Sequence, residues 1–306
     1  MAHATEFGAP TETAGATIGL VCYNVQRAIH RDALRRLVAT APAFAAADLV
    51  AIQEAVPGHG TGHILADLAG VLSPAHRWTY APVMRYPDAG KEYGNGLIHR
   101  DEAVVRASTS VRLPPVTRLR WWERAKTEGG APDTKAALLQ VISLHAATVR
   151  LATVHLDFAG GWTHRHAQLS RVVAALDDLA PADGTPCGRT VDIICGDFNT
   201  VGHHRLPGSR RATRRALAAA TDRGFRDATA AIGFTSDLFG SIDPADPSAA
   251  WLRRGLRLGL RFRQKTDHVL VRGPVAVTAA GVVTANDADL LAISDHLPLH
   301  VTLTLT

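Results

Sequence analysis

Six places in this chain set Asp, Glu, Asn or His at the end of an apolar run: Asn24, Glu54, His155, Asp197 with Asn199, Asp267 with His268, and Asp295 with His296. In VDIICGDFNT, Val191, Ile193 and Ile194 predict a buried strand. Gly196 then admits close backbone approach, and the alternating Asp197 and Asn199 can face one cleft. Ligands bind beyond the carboxyl ends of sheet strands, so a carboxylate and an amide there suggest a site. On that stretch alone, a strand closing in an Asx turn accounts for the same residues. Six such ends, built only from those four residue types, do not reduce to turn chemistry. A few hard oxygen donors suit Mg²⁺, with Mn²⁺ as an alternative ion. Such a cation polarises a phosphoryl oxygen and offsets developing charge. A histidine backed by a carboxylate is held in one tautomer and suited to proton transfer.

The elements that must position these groups follow from periodicity. Strands are expected at Thr17–Asn24, Asp48–Glu54, Trp78–Arg85, Gly94–Arg100, Ala103–Leu113, Ala137–Ser143, Thr148–His155, Asp267–Val271, Val275–Val283 and from Leu299. Helical spacing marks Arg31–Thr40, His63–Val71, Trp162–Leu179 and a segment ending at Thr221. Thr117–Asp133, with Trp121, Trp122 and the Gly129–Gly130 break, reads as a long loop. Gly255–Arg263 alternates leucine or phenylalanine with arginine or glycine, which predicts a strand with one basic face. Strand pairs with occasional helical crossovers imply mixed sheets covered by helices.

Composition narrows the class. With 306 residues, 46% hydrophobic and 20% charged, the chain has enough apolar material for a large core. No apolar run is long enough to span a bilayer, no amphipathic membrane-binding helix or apolar surface loop stands out, and no stable membrane association is expected. Residues 1–16 read as a flexible leader without signal-peptide features, and 17–306 as a single catalytic domain, monomeric and cytoplasmic, with secretion the alternative if a leader was removed. Cys22, Cys187 and Cys195 lack paired metal spacing, which argues against structural zinc and for a reducing compartment. The net charge of +5 favours a polyanionic partner.

CYNVQ at Cys22, AIQE, GNGLIHR, TVHLD, GDFNT, TDHVLV and SDHLPLH at Ser294 occur in an order that resembles the endonuclease/exonuclease/phosphatase superfamily. The resemblance implies the DNase I-like fold, a four-layered α/β sandwich of two mixed, mostly antiparallel sheets packed together with helices outside. It implies that Glu54 binds the catalytic divalent cation, with Asn24 and Asp295 close by. Asp197 and Asn199 would orient the attacking water and a phosphate oxygen. His296 would contact the scissile phosphate and take the water's proton, polarised by Asp267, while His155 would stabilise the transition state or serve the leaving oxygen. Glu92 is a candidate partner for His155, and Asp157 a turn residue or a further member. Arg165 with Gln168 resembles a family feature that anchors the loop carrying His155. His203–His204 are loop residues able to reach the cleft, and His268 is structural.

Two basic regions bear on substrate: Arg205, Arg210, Arg211, Arg214 and Arg215, then Arg253, Arg254, Arg257, Arg261, Arg263 and Lys265. Arg257, Arg261 and Arg263 are the candidate substrate contacts, by salt-dependent binding to phosphates. Trp121 and Trp122, with Arg118, Arg120 and Arg124, either pack or stack on single strands. His155 makes the chain look nearer the DNase I-like and lipid-phosphodiesterase branches. The expectation is a Mg²⁺-dependent phosphodiesterase acting first on nucleic acid. The alternatives are an enzyme acting on a small or lipid-borne phosphoester and a non-catalytic nucleic-acid-binding module; the intact metal and His set argues against the module.

Overall fold

Strand β1 (Thr17–Asn24) shows why the chain forms layers. Its Ile18, Leu20 and Cys22 enter one apolar cluster, while Val21 and Tyr23 enter another on the opposite face, as strand alternation requires. A computed structural model describes residues 15–57, 62–86, 91–124, 134–145, 147–179, 189–201, 207–242, 249–285 and 289–306. Most of the expected leader and all of His203–His204, Arg205 and Cys187 lie outside the described residues.

After β1 come α1 (Arg31–Thr40), α2 (Pro42–Ala46), β2 (Leu49–Ala55), α3 (Ile64–Leu72), β3 (Arg77–Tyr86) and β4 (Lys91–His99). The middle holds β5 (Val104–Arg112), α4 (Trp121–Arg124), β6 (Ala136–Leu144), β7 (Ala147–His155), α5 (Gly161–Asp177), β8 (Arg189–Asp197) and α6 (Pro207–Thr221). The last third adds β9 (Arg226–Asp227), β10 (Ser236–Asp237), α7 (Ala249–Arg257), β11 (Arg263–Gln264), β12 (Asp267–Arg272), β13 (Val275–Val282), α8 (Leu290–Ile293) and β14 (Leu299–Leu305).

Two six-stranded sheets result, ordered β13-β14-β1-β2-β4-β3 and β5-β6-β7-β8-β12-β9. Among the described residues, only β1–β2 and β7–β8 pair in parallel within them. Leu20, Leu49, Leu97 and Val301 from the first sheet meet Leu151, Ile193 and Val269 from the second. Leu34, Leu37 and Leu65 cover the outer face of the first sheet, and Leu169, Val172 and Leu176 that of the second. This gives four layers, helix on sheet on sheet on helix, as expected. Each buried aliphatic side chain of this kind contributes about 1.5–3 kcal/mol.

One expected strand is wrong. Ala249–Arg257 is helix α7, and of the Gly255–Arg263 stretch only Arg263 enters a strand, the two-residue β11. Leu252 and Gly255 bury one helix face, spacing that the leucine–arginine alternation beyond them hides. Among the described residues, the alternating positions find no partner strand before Arg263, which with Gln264 pairs to β10. The result is an amphipathic, arginine-rich helix followed by an apolar turn, with Trp251, Leu258 and Leu260 exposed. The expectation that no such surface exists is therefore also corrected. Within the expected loop at Thr117–Asp133, Trp121–Arg124 forms the short α4, and residues 125–133 lie outside the described ones.

Candidate active site

Register brings three of the polar strand ends side by side. His155 closing β7 pairs in register with Asp197 closing β8, and Asp267 opening β12 pairs with the same Asp197 from the other side. From the first sheet, Asn24 closes β1 beside Gln53 of β2, and Glu54 follows. The SDH segment before β14 is tied to β1, because Ser294 Oγ donates to Asn24 O at 2.8 Å and accepts from the His296 amide at 3.2 Å. Parallel pairs bring the carboxyl ends of β1, β2, β7 and β8 to one edge of each sheet, and the antiparallel β12 and β14 begin at that edge.

Backbone geometry at this edge is unusual. Glu54 and Asn199 hold positive φ values of 56° and 50°. For residues with a Cβ this region is sparsely used, and such strain clusters at functional sites. Glu54 lies where the β2–β4 register shifts, so the irregularity turns its carboxylate out of the ladder. Gly196 has φ 146°, and a Cβ there would collide with the Val154 carbonyl of the neighbouring strand. Close approach of β7 and β8 at the site therefore depends on glycine.

The side chains form one network. Asn24 Nδ2 lies 3.2 Å from Asp197 Oδ2 and 3.3 Å from Glu54 Oε1. Asp197 Oδ1 accepts the Asn199 amide at 2.7 Å, and Asn199 Nδ2 donates to Leu156 O at 2.8 Å. His296 Nδ1 sits 2.9 Å from Asp267 Oδ2 and 3.1 Å from Oδ1, and Thr266 Oγ1 donates to the same carboxylate at 2.8 Å. The other ring nitrogen, Nε2, stands 3.6 Å from Asp197 Oδ2 and 4.0 Å from Asp295 Oδ1. His155 Nε2 is 3.5 Å from Asp197 Oδ2, and its Nδ1 is 3.9 Å from Glu54 Oε1 without a hydrogen bond.

Burial and mutual charge set the protonation states. Burial pushes Asp197 up to about 7 and Asp295 up to about 6, with neighbouring carboxylates adding to the rise against the pull of His296. For His296, burial would lower the value, but Asp267, Asp197 and Asp295 raise it well above the ordinary histidine range. His155 is held well below that range by burial, then by Lys135 and His296.

A cleft of about 450 Å³ opens on Asn199, Asp295 and His296, with Thr266, Asp237 and Arg165 among its other walls. Glu92 does not join His155: its Oε1 accepts from Tyr80 Oη at 3.2 Å, while His155 faces Glu54 and Asp197. In β4 Glu92 pairs with Arg85, near the strand's start, which leads its side chain to Tyr80 instead. Arg261 and Arg263 do not line the cleft but pair with Asp237 in its wall, their Nε atoms 3.9 Å and 3.8 Å from Asp237 Oδ2, whereas Arg257 ends α7. Asp157 is clamped by Gln168 Nε2 at 2.7 Å and His164 Nε2 at 2.9 Å, which anchors the loop after His155. His268 points away from the site, to Asp227 and Thr200. Asp237 has no counterpart among the residues expected from sequence. It lies in a two-residue strand with no apolar run to announce it, yet its side chain is fully buried at the cleft.

A family model described as Endonuclease/Exonuclease/phosphatase family matches residues 21–296. The chain belongs to this family. Endonuclease/exonuclease/phosphatase proteins are generally divalent-metal-dependent phosphoester hydrolases. Among solved structures, an endonuclease/exonuclease/phosphatase from Beutenbergia cavernae DSM 12333 is 18% identical with a TM-score of 0.60, over 94% of this chain and 72% of that one. The human Nocturnin catalytic domain with bound sulfate anion is 16% identical with a TM-score of 0.61, over 95% of each chain. D. rerio TDP2 complexed with single strand DNA product is 16% identical with a TM-score of 0.59, over 94% and 99%. At these identities the likeness is one of fold. No curated protein sequence matches.

The donor set fits a family metal. Atoms of Asp197, Asp267 and His296 lie within 4.8 Å of one another. Two of these, Asp267 and His296 Nδ1, already satisfy each other. Glu54, which lies 3.3 Å from Asn24 Nδ2 and 3.7 Å from Arg27 Nε, and Asp295 add carboxylate oxygens at the same edge. Burial, with neighbouring carboxylates adding to it, raises Asp197 and Asp295 despite the pull of His296, and a hard divalent cation suits such a group.

Proposed function

We propose that this protein is a divalent-metal-dependent phosphodiesterase that hydrolyses phosphodiester bonds in nucleic acid. The observation that carries the reading is the Asp267–His296 pair, with His296 Nε2 facing Asp197 at the floor of a cleft shared with Asn199 and Asp295. Glu54, with Asp295 and Asn24, would hold the cation, which when bound supplies charge neutralisation at a phosphoryl oxygen.

The chain's own groups divide the remaining work. Asp267 keeps His296 in one orientation, with Nε2 toward the phosphate. Its surrounding carboxylates favour the protonated ring, so it serves first as a hydrogen-bond donor to a phosphate oxygen. Asp197, set by Asn24 and Asn199, orients the water and can accept its proton near neutral pH. His155 stays neutral and offers one N–H toward the same carboxylate. Arg261 and Arg263 beside the cleft would meet flanking phosphates.

A second reading, a lipid-borne phosphoester as substrate, draws on α7. Trp251, Leu258 and Leu260 are 60%, 71% and 48% exposed among arginines, and nearby Phe262 lines the cleft. That combination suits an anionic membrane surface. The test is hydrolysis of bis-p-nitrophenyl phosphate with and without Mg²⁺ or Mn²⁺, alongside plasmid DNA, single strands, RNA and anionic vesicles carrying phospholipid. Metal-dependent turnover that Glu54→Gln abolishes is expected, with nucleic acid cut faster than phospholipid. No metal-dependent turnover on any substrate overturns the enzyme reading, and preference for the vesicles replaces nucleic acid with lipid.

A further inference from the structure

A second cavity, of about 560 Å³, lies between α6 and the turn from Asp227 to Gly233. The segment that sends Gln264 and Thr266 to the catalytic cleft turns Lys265 and His268 into this pocket instead. We infer that this pocket is a separate binding site for a phosphate group, carried by a small ligand or by a nucleic-acid strand.

The first argument is charge. Arg210 and Arg214 project from α6, and Lys265, only 9% exposed, forms part of the wall. Asp227 is the acidic group facing them, and its carboxylate is already engaged. Oδ1 accepts from the Thr229 amide at 2.9 Å and hydroxyl at 2.7 Å, while Oδ2 lies 2.9 Å from His268 Nδ1 and 3.4 Å from Lys265 Nζ. Lys265 Nζ also donates to Thr229 O, which leaves the third of its hydrogens for an anion. Among the described residues neither Arg210 nor Arg214 forms an ion pair. They stand four apart on a helix with no acidic residue, where like charges oppose helix formation. A phosphate between them relieves that repulsion and suits the planar guanidinium donors.

The second argument is an unspent hydroxyl. Thr213 lines the pocket one position before Arg214, and its Oγ1 is buried without a hydrogen-bond partner. Such a group costs free energy as it stands, and a χ1 rotation that turns it toward the cavity lets a bound anion satisfy it. Leu217 and Ile232 add apolar wall, and the volume falls in the range of small-ligand sites. A neutral or cationic ligand would leave the surplus of positive charge facing inward.

The pocket also touches the catalytic loop. Thr200 follows Asn199, and its Oγ1 donates to Lys265 O at 2.8 Å and lies 2.9 Å from His268 Nε2. Phosphate on Lys265 therefore bears on the residue next to Asn199, although the pocket shares no lining residue with the cleft.

Backbone amide NMR of the full chain, titrated with inorganic phosphate, 5′-AMP and a single-stranded oligonucleotide, tests the site. Occupancy should shift resonances in 209–217, 229–233 and at Thr200, with a midpoint distinct from that of shifts around Asp295 and His296. Arg210→Ser/Arg214→Ser should weaken that binding at least tenfold and Thr213→Val severalfold. Turnover of bis-p-nitrophenyl phosphate in phosphate-free buffer should be unchanged in both, which also shows that they fold. Response to phosphate and 5′-AMP identifies a small-ligand site; response to the oligonucleotide alone identifies a backbone-phosphate contact. If the probes move only cleft resonances, or the double variant binds like the wild type, the pocket is not a phosphate site.

Discussion

At the scale of single residues, the His296–Asp267 contact links segments that are 29 positions apart, and local geometry does nothing to bring them together. His296→Ala should lower turnover on the order of a hundredfold or more, the scale of a positioned acid–base group. Asp267→Asn alone should cost less. The double variant should be little worse than His296→Ala, because groups acting as a unit are not additive. Steady-state rates on bis-p-nitrophenyl phosphate decide this, and fully additive losses would show that the two act separately. Asp227 gives an independent test on stability. Burial alone would raise its pKa, but the charge and hydrogen bond of His268, with Lys265 and Thr229, hold it well below the usual carboxylate range. A carboxyl depressed on folding stabilises above its unfolded value of about 3.9, and that contribution is lost as pH falls toward the folded value. Urea titrations should therefore show Asp227→Asn clearly less stable than wild type at pH 7. The gap should narrow as the pH is lowered below about 4. A gap that is constant with pH would mean the aspartate acts by packing alone.

Among the elements, the sheets were legible and the α7 region was not, for a physical reason. In β1, β7 and β8 the side-chain period of two coincides with two buried faces, so apolar residues run almost unbroken to the polar end. Between Gly255 and Arg263 the same period appears without partner strands, and the alternation is a property of an exposed helix end and turn. Arg261 and Arg263 nevertheless stand beside the cleft, paired with Asp237 in its wall. That gives them a structural duty as well, since Asp237 Oδ2 is buried and lacks a hydrogen bond. Arg261→Ala/Arg263→Ala should lower the melting temperature by stranding that charge, and adding Asp237→Asn should restore part of it. In the restored triple variant, nucleic-acid affinity should depend less steeply on salt, the logarithmic slope falling by about 0.7–0.9 for each phosphate that the arginines no longer neutralise. Filter binding from low to high salt measures this. An unchanged slope would remove these arginines from the substrate path, while Arg257→Ala, away from Asp237, should leave the melting temperature as it was.

Across the whole molecule, the order of the motifs announced the sandwich, because some close parallel-paired strands while TDH and SDH lead into antiparallel strands that start at the same edge. Asp237, by contrast, follows no apolar run, and the second pocket is built from Arg210, Lys265 and Thr213, which share no sequence pattern that would group them. Such sites exist only once the layers are packed. Packing also concentrates negative charge: Glu54 and Asp295 come from one sheet's edge, Asp197 and Asp267 from the other's, and folding forces them together. In the metal-free chain this is an electrostatic cost of the native state that the unfolded chain does not bear. A cation that binds only the folded form should offset it, by about 2.7 kcal/mol when present at a hundred times its dissociation constant. Mg²⁺ or Mn²⁺ should therefore raise the melting temperature at pH 8 in calorimetry, while KCl matched for ionic strength should not. Glu54→Gln removes one carboxylate from the cluster, so it should melt as high as or higher than wild type without metal. It should then gain much less from added cation. A Glu54→Gln protein that melts lower without metal and responds to Mg²⁺ as fully as wild type would show that Glu54 supports the fold rather than holding the ion.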